Sequence, residues 1–218
     1  MLEKKLTELK KKLVWEASLA EDMVKKSVQG LVERNKEVLE KVINEYEPKM
    51  NELEIEMDEF CINLIALHQP EAGNLRTILM VLKMNNDLER IGDLAVNISE
   101  SALFLIERPP VKPLIDIPRM AEETINMLKD AVDSFINEDV NMAKSVCERD
   151  EIVDNLRDQI FRELITYMSS DPSTIERSIH LIRISRSLER IADLATNISE
   201  DVIFMVKGKV IKHRKDEN

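Results

Sequence analysis

The chain has 218 residues, and its 42 acidic side chains against 31 basic ones give a formal net charge of −11. This sign argues against a nucleic-acid-binding protein, because phosphate contacts need a basic surface, and it favours a cation or a basic partner. Apolar residues make up 44% of the chain and glycine occurs four times. Straight-chain helix formers therefore predominate, and the composition predicts an all-α fold with a sizeable core.

The first half of the chain predicts three helices. Apolar residues recur at helical spacing over residues 3–34, and a second helical stretch continues to His68. Pro48 lies inside that stretch, so we expect a kink or a local break there. A turn then leads into a third helix, predicted from about residue 71 to 107.

A proline-rich segment separates this half from the next. Four of the seven prolines fall within residues 108–118, which is typical of a stiff extended linker. Helices are then predicted over about residues 119–137, about 140–170, and from Asp171-Pro172 to about 207. The sequence thus predicts two pseudo-symmetric three-helix bundles in tandem. The predicted boundaries are a first repeat at 1–108, a linker at 109–118, a second repeat at 119–208 and a polar tail at 209–218.

The sequence predicts neither a membrane span nor a secretion signal. It contains no uninterrupted run of about 18 apolar residues, and its charged N-terminus lacks the apolar segment of a secretory leader. Cys61 and Cys147 form no Cys-x-x-Cys motif. We interpret both as reduced thiols in a cytosolic protein.

One phrase occurs twice in the chain, 100 residues apart. Residues 88–100 read LERIGDLAVNISE and residues 188–200 read LERIADLATNISE, with 11 of the 13 positions identical. Such self-similarity indicates a tandem duplication. The polar positions are kept as faithfully as the apolar ones, although packing alone would preserve only the latter. We therefore expect the repeated acids to have a function.

The repeated acids share one face of each predicted helix. At about 100° per residue, Glu89, Asp93 and Asn97 fall within an arc of about 80°, opposite the apolar side chains. Carboxylates one turn apart, with an amide one turn further on, form an oxygen-rich site suited to a divalent cation. The equivalent residues of the second half are Glu189, Asp193 and Asn197. Further carboxylates on the neighbouring second helices are Glu47, Glu54 and Asp58 in the first half and Asp150, Asp154 and Asp158 in the second.

Two other interpretations remain open. The acidic face suits a solvated surface of a scaffolding bundle, but like charges at i, i+4 repel each other, and the amide of Asn97 recurs as Asn197. A metal-dependent hydrolase is the weaker alternative, since clustered carboxylates can hold two metals and activate water. The Glu-x-x-His pair of di-iron bundles is absent, and no nucleophile motif occurs. We therefore expect a protein that is not an enzyme.

These motifs resemble those of the PhoU family of phosphate-uptake regulators. Two copies of LER-I-(G/A)-D-x-A-x-N-I each close a three-helix unit, and the Gln69-Pro70-x5-Arg76 turn is typical of that family. The Pro-Pro-x-Lys-Pro-Leu linker at 109–114 is equally typical. The resemblance covers about residues 3–208. It implies a cytoplasmic homodimer, peripheral to the inner face of the plasma membrane through its partners.

The resemblance also implies a function and a set of site residues. It implies a negative regulator of the phosphate-starvation response and of phosphate homeostasis. This regulator bridges the ATPase subunit of the phosphate ABC transporter and a membrane sensor histidine kinase. Members with the acidic motif bind iron or other divalent ions, in places as multinuclear clusters. The residues that match the motif here are Glu89, Asp93, Glu189 and Asp193, with Asp150 and Asp154 on the second helix. The first half has Glu47 and Asn51 in the latter places, with Pro48 between them.

Overall fold

A computed structural model describes residues 2–207 and shows six helices and no strand over that range. The prediction of an all-α fold is confirmed, and the predicted polar tail at 209–218 lies outside the described residues. The first repeat contains α1 (Leu2–Glu33), α2 (Lys36–Lys41, Val42–Tyr46 and Glu47–His68) and α3 (Ala72–Ile106). The second repeat contains α4 (Asp116–Asn137), α5 (Val140–Ser170) and α6 (Ile175–Lys207), with a short 3₁₀ turn at Pro172–Thr174.

The two repeats share the same turn between their first and second helices. Arg34 and Glu138, 104 residues apart, both adopt the left-handed conformation, with φ of 54° and 53°. Each is followed by a helix-capping residue, Asn35 or Asp139, whose side chain accepts backbone N–H bonds from the next turn. The duplication is therefore visible in the backbone as well as in the sequence.

The local break expected near Pro48 is a π turn that immediately precedes the proline. The π turn spans Val42–Tyr46, and the backbone N–H of Glu47 donates to the carbonyl of Val42, five residues earlier. A π turn accommodates one extra residue, and Pro48 is the second residue of the α-helical segment Glu47–His68 that follows it. Before the π turn, a residue of the first repeat corresponds to the residue 104 positions later, as Arg34 does to Glu138. The extra residue reduces this offset by one, so that Glu47 corresponds to Asp150.

The linker between the repeats is shorter than the proline pattern predicts. Helix α4 begins at Asp116, three residues before the predicted start, and Pro118 lies in its first turn, where a missing N–H costs nothing. Polar side chains tie the linker down. The Arg34 guanidinium donates to the carbonyls of Ile106 and Arg108, and the Lys112 ammonium contacts the carboxylates of Asp116 and Glu163.

One apolar core runs through both repeats without interruption. Helix α1 packs on α3 and α4 on α6 within the repeats, while α3 packs on α6 and α1 on α4 between them. Helix α2 packs on α1 and α3, and α5 packs on α4 and α6, so each flanks this central four-helix group on the side of its own repeat. In the described part of the chain no helix is long and apolar enough to cross a membrane. Both cysteines are unpaired, as predicted, with Cys61 buried and Cys147 half-buried.

Candidate functional site

The repeated acids lie on the outer face of α3 and α6, as the helical spacing predicts. Asp93 and Asn97 are exposed and Glu89 is half-buried, and their second-repeat equivalents show the same pattern. The apolar side chains of the repeated phrase are buried on the opposite face. We call each row of polar residues an acidic stripe: Glu89, Asp93 and Asn97 on α3, and Glu189, Asp193 and Asn197 on α6. The oxygen atoms of both acidic stripes are accessible, while the leucines and isoleucines anchor the two helices in the core.

The two stripes meet across a shared groove. Because α3 packs on α6, the same four positions of each repeat line one polar groove of about 370 Å³. The lining residues are Arg90, Asp93, Leu94 and Asn97 with Arg190, Asp193, Leu194 and Asn197. Two sites that appear separate in the sequence are therefore adjoining parts of one pseudo-symmetric surface. Glu89 and Glu189 do not line this groove. Glu89 interacts with Glu47 and Glu54 of α2, whereas Glu189 interacts with Asp150 and Arg157 of α5.

In the second repeat an arginine lies among the carboxylates. Arg157 of α5 donates to Glu189 of α6 at 2.6 Å, and it also forms ion pairs with Asp154 and Asp158, each at 2.9 Å. Hydrogen bonds between charged groups are among the stronger polar contacts. The guanidinium therefore links α5 to α6 and neutralises part of the cluster.

The pKa of Asp193 reflects the neighbouring carboxylates that Arg157 does not fully neutralise. Partial loss of solvent raises the pKa of Asp193 to about 6, and the charges of Glu189, Asp150 and Asp154 act in the same direction. Arg157 lowers the pKa by a smaller amount. The pKa of Asp150 is also raised, by partial burial and then by Asp154 and Glu189. These four carboxylates therefore act on one another, and binding a cation would relieve their repulsion.

The first repeat gathers a similar set of acids without an arginine in that place. Partial burial raises the pKa of Glu89, and Asp93, Glu54 and Glu47 raise it further, whereas Arg90 lowers it. The pKa of Asp93 is raised by partial burial and by Glu47. The π turn thus keeps Glu47 near the third helix despite Pro48, and the Asn51 amide donates to the Glu47 carboxylate at 3.2 Å.

The donor set fits a hard divalent cation, but the side chains do not form a finished coordination shell. All predicted metal-binding residues offer carboxylate or amide oxygen, which suits Mg²⁺, Mn²⁺, Ca²⁺ or Fe²⁺. Among residues 2–207, no three Asp, Glu, His or Cys side chains are arranged to hold one metal ion. Binding therefore requires rotation of these exposed or half-exposed side chains toward a common centre.

The role of Arg157 is not evident from the sequence alone. Because the register shifts by one at the π turn, Arg157 corresponds to Glu54, so the same place carries opposite charge in the two repeats. Arg157 stands one turn beyond the predicted ligand Asp154, and that spacing is the signal that would have identified it. The effect of these two residues, Arg157 and Glu54, on α3 and α6 depends on how the second helices dock, which spacing within one helix does not reveal.

Comparison with known proteins identifies the family. The family model of the PhoU domain matches residues 13–102 and 117–202, one match for each repeat. The chain belongs to the PhoU family. It is 42% identical over 211 residues to a phosphate-specific transport system accessory protein PhoU homolog of Aquifex aeolicus, covering 97% of this chain and 95% of the relative. It is 35% identical over 217 residues to the corresponding homolog 2 of Thermotoga maritima, covering 100% and 92%.

A solved PhoU structure shares the fold. The crystal structure of PhoU from Pseudomonas aeruginosa superimposes with a TM-score of 0.92 at 33% identity, covering 96% of this chain and all of that one. The two-bundle architecture predicted from the repeat is therefore confirmed. These PhoU relatives carry the names of transport accessory proteins and not of enzymes, so the expectation of a non-enzymatic protein is confirmed and the hydrolase interpretation is set aside.

Proposed function

We propose that this chain regulates phosphate uptake as a metal-binding adaptor that contacts the phosphate ABC transporter. In this proposal it represses the phosphate-starvation response when phosphate is plentiful, as a cytoplasmic homodimer peripheral to the membrane. It acts between the ATPase subunit of the transporter and a sensor histidine kinase. The observation that carries the proposal is the pair of acidic stripes meeting in one groove, in a chain that belongs to a family of phosphate-transport accessory proteins.

The carboxylates in and beside the groove decide which ligand it suits. Free phosphate would meet Asp93 and Asp193, and Arg90 and Arg190 at its sides do not outnumber them. Divalent cations fit the carboxylates better, since they neutralise the repulsion that raises the pKa of Asp193. A bound cation supplies positive charge and open coordination positions, with which it can bridge the stripe to an acidic group on a partner.

The chain's own residues then have separate roles. Asp93 and Asp193 offer carboxylates in the groove, and Asn97 and Asn197 add neutral oxygens one turn further on. On the α5 side, Asp150 and Asp154 approach Asp193. For all these carboxylates to bind one ion, Arg157 must release part of its contacts, so cation binding and the α5–α6 ion pairs are coupled.

A scaffolding role without metal is the second candidate, and one observation favours it. Arg157 already pairs with Asp154, Asp158 and Glu189, so a large part of the second acidic cluster is satisfied within the protein. On this alternative the stripe keeps α5 and α6 in register and presents a charged surface to partners. Removing its acids would then leave metal content and regulation unchanged.

Two measurements separate the candidates. The first is the elemental metal content of untagged protein, compared with the Glu189→Ala/Asp193→Ala variant. We expect near-stoichiometric divalent metal or iron in the wild type and a clear loss in the variant, which keeps the first stripe. The second is expression from a phosphate-starvation promoter in a bacterium whose own PhoU-family gene has been deleted. At high phosphate the wild-type chain restores repression, and the variant fails by several-fold.

A matched control keeps the result interpretable. Glu37→Ala/Glu40→Ala also removes two exposed acids, at the start of α2 and away from the groove, and it should behave as wild type in both assays. Unchanged metal and unchanged repression in Glu189→Ala/Asp193→Ala would support the scaffold instead. Binding of the purified chain to the transporter ATPase subunit and to the kinase, measured with and without metal, tests the adaptor role directly.

A further inference from the structure

A buried carboxylate lies in the first repeat, outside the groove. Glu16 of α1 is 0% exposed, and neither of its carboxylate oxygens has a hydrogen-bond partner among residues 2–207. Carboxylates buried without partners are rare because burial costs several kcal/mol per ion. The nearest charges are also negative, since Glu54 and Asp58 of α2 both act on Glu16. The fold therefore holds an acid where only a cation or a proton can satisfy it.

An asparagine on α3 supplies a third oxygen at the same place. Asn85 is 0% exposed, and its amide nitrogen donates to the Asp58 carboxylate at 2.8 Å and to the Glu54 carbonyl at 3.0 Å. These two bonds fix which end of the amide is oxygen. The remaining atom, Oδ1, is buried and has no donor within the described residues. Glu16 and Asn85 thus face the same turn of α2 and leave three acceptor oxygens unsatisfied.

The second repeat shows that the fold does not need these polar groups. The shared turns at Arg34 and Glu138 are 104 residues apart. By that offset Glu16 corresponds to Met120, which is buried. With the shift at the π turn, Asp58 corresponds to Phe161, and from the repeated phrase Asn85 corresponds to Ser185, whose hydroxyl donates within its own helix. None of these three equivalent residues of the second repeat carries a carboxylate or an amide. Packing alone does not explain why they occur together.

We infer that Glu16, Asp58 and Asn85 form an internal site for one oxygen-preferring divalent cation, between α1, α2 and α3 of the first repeat. Glu16 supplies up to two oxygens, Asn85 its Oδ1 and Asp58 a carboxylate. The site is distinct from the groove, whose lining includes none of these residues. It adjoins the first stripe, since Asn85 lies one turn before Glu89 on α3 and Glu54 acts on both Glu16 and Glu89. It is nevertheless independent of the proposed function, because neither Glu89 nor Asp93 is among its ligands.

The path and the movement that binding needs are also visible. Asp58 is exposed and Glu54 is half-buried, so a cation enters along the surface of α2 and not through the core. Three acids are not already at ligand distance in the described chain, so Asp58 must rotate toward Glu16. Cys61 lies beside these carboxylates, since burial and then Asp58 and Glu16 raise the pKa of its thiol to about 12.

The experiment counts Mn²⁺ after the acidic stripes have been removed. The background is the full chain with Glu89→Ala, Asp93→Ala, Glu189→Ala and Asp193→Ala, and free Mn²⁺ is followed by electron paramagnetic resonance at pH 7.5. We expect one Mn²⁺ per chain in this background. Adding Glu16→Met, the residue that the second repeat carries, should remove it or weaken its binding at least tenfold. Glu16→Gln should do the same while keeping the side-chain volume.

A control at the same spot separates ligand loss from disturbed packing. Cys61→Ala changes the neighbouring side chain without removing an oxygen, and it should leave the Mn²⁺ count at one. The inference is overturned if the background binds no Mn²⁺, or if its Mn²⁺ survives both Glu16 substitutions; the cluster then holds only a proton. Neither result bears on the stripes, whose metal is measured in the variants that keep Glu16.

Discussion

The two repeats present nearly the same third helix to different surroundings. In the second repeat Arg157 stands among Asp154, Asp158 and Glu189 and neutralises part of their charge. In the first repeat the equivalent place carries Glu54, which instead raises the pKa of Glu89. A repeated motif therefore does not define two equal sites. The second helix sets the charge that the motif experiences, by placing an arginine beside it in the second repeat and a further acid beside it in the first.

The largest expected effect concerns Glu16 and pH. Burial raises its pKa from 4.5 to about 8, and Glu54 and Asp58 add to the shift. The folded protein therefore keeps a proton that the unfolded chain releases, and stability falls as pH rises from about 4.5 to about 8, by at most about 1.4 kcal/mol per pH unit. Glu16→Met should remove this slope and raise the free energy of unfolding at pH 8 by several kcal/mol.

Urea unfolding between pH 5.5 and 8.5, with chelator present, measures this difference. The comparison of variant with wild type cancels the contribution of Glu21, whose pKa is raised in the same direction. The interval from pH 6 to 8 lies above the pKa of Asp193, so that group contributes little there. A difference that stays constant with pH would show that the Glu16 carboxyl is not the titrating group.

Exchanging the central charges of the two repeats should have the next largest effect. Arg157→Glu leaves Asp154, Asp158 and Glu189 without their cation and adds a fourth acid, so we expect a loss of about 1–2 kcal/mol in the free energy of unfolding. Glu54→Arg should stabilise the first repeat by up to about 1 kcal/mol. Both effects should shrink in 1 M salt, which screens exposed charges. Equal effects at low and high salt would contradict the electrostatic explanation.

Asp193 gives a smaller and more local test. Partial burial and then its acidic neighbours raise its pKa to about 6, and Arg157 lowers it by a smaller amount. In Arg157→Ala the pKa should rise further, as followed by the carboxyl carbon resonance in an NMR titration. Because Asp193 is neutral in the folded protein up to about pH 6, its contribution to stability is lost as pH rises from about 4 to 6. Asp93, whose pKa is raised by partial burial and then by Glu47, should not respond to Arg157→Ala.

The smallest effect is expected at Gly92, where the second repeat has Ala192. A Cβ added at Gly92 would lie 3.1 Å from Met50 Cγ and 3.6 Å from Met23 Cε. Alanine gains about 0.5–1 kcal/mol over glycine in a helix, and the flexible methionines need to move only slightly. We expect Gly92→Ala to stabilise the chain by less than 1 kcal/mol in urea unfolding. Gly73→Ala, with no neighbour within 4 Å, measures the gain without the contact, so a larger gain at Gly92 would be unexpected.

The helices and the acidic faces could be predicted because they depend on spacing within one helix. The repeated phrase places Asp93 and Asn97 opposite its leucines, and the structure agrees. The shared groove could not be predicted, since it depends on how α3 packs on α6. The start of α4 at Asp116 was missed because Pro118 is as compatible with a first helical turn as with a linker.

The sequence contains a signal for the burial of Glu16, but the many charged residues of α1 obscure it. It stands three residues after Leu13 and four before Ala20, so helical spacing places it on the apolar face. Helix α1 is rich in charged residues, and a single glutamate there resembles the exposed lysines around it. Its burial is decided by α2 and α3, which close over it from positions distant in the sequence.

The uninterrupted core has a mechanical consequence for the proline-rich connector. Since α3 and α6, and α1 and α4, bury apolar side chains against each other, the repeats are joined mainly by packing and not by the tether. A single backbone cut within the connector should therefore leave two fragments that stay associated and melt together. A force applied to one repeat by a binding partner would be transmitted through this packed interior to the other. We therefore expect the two repeats to move together.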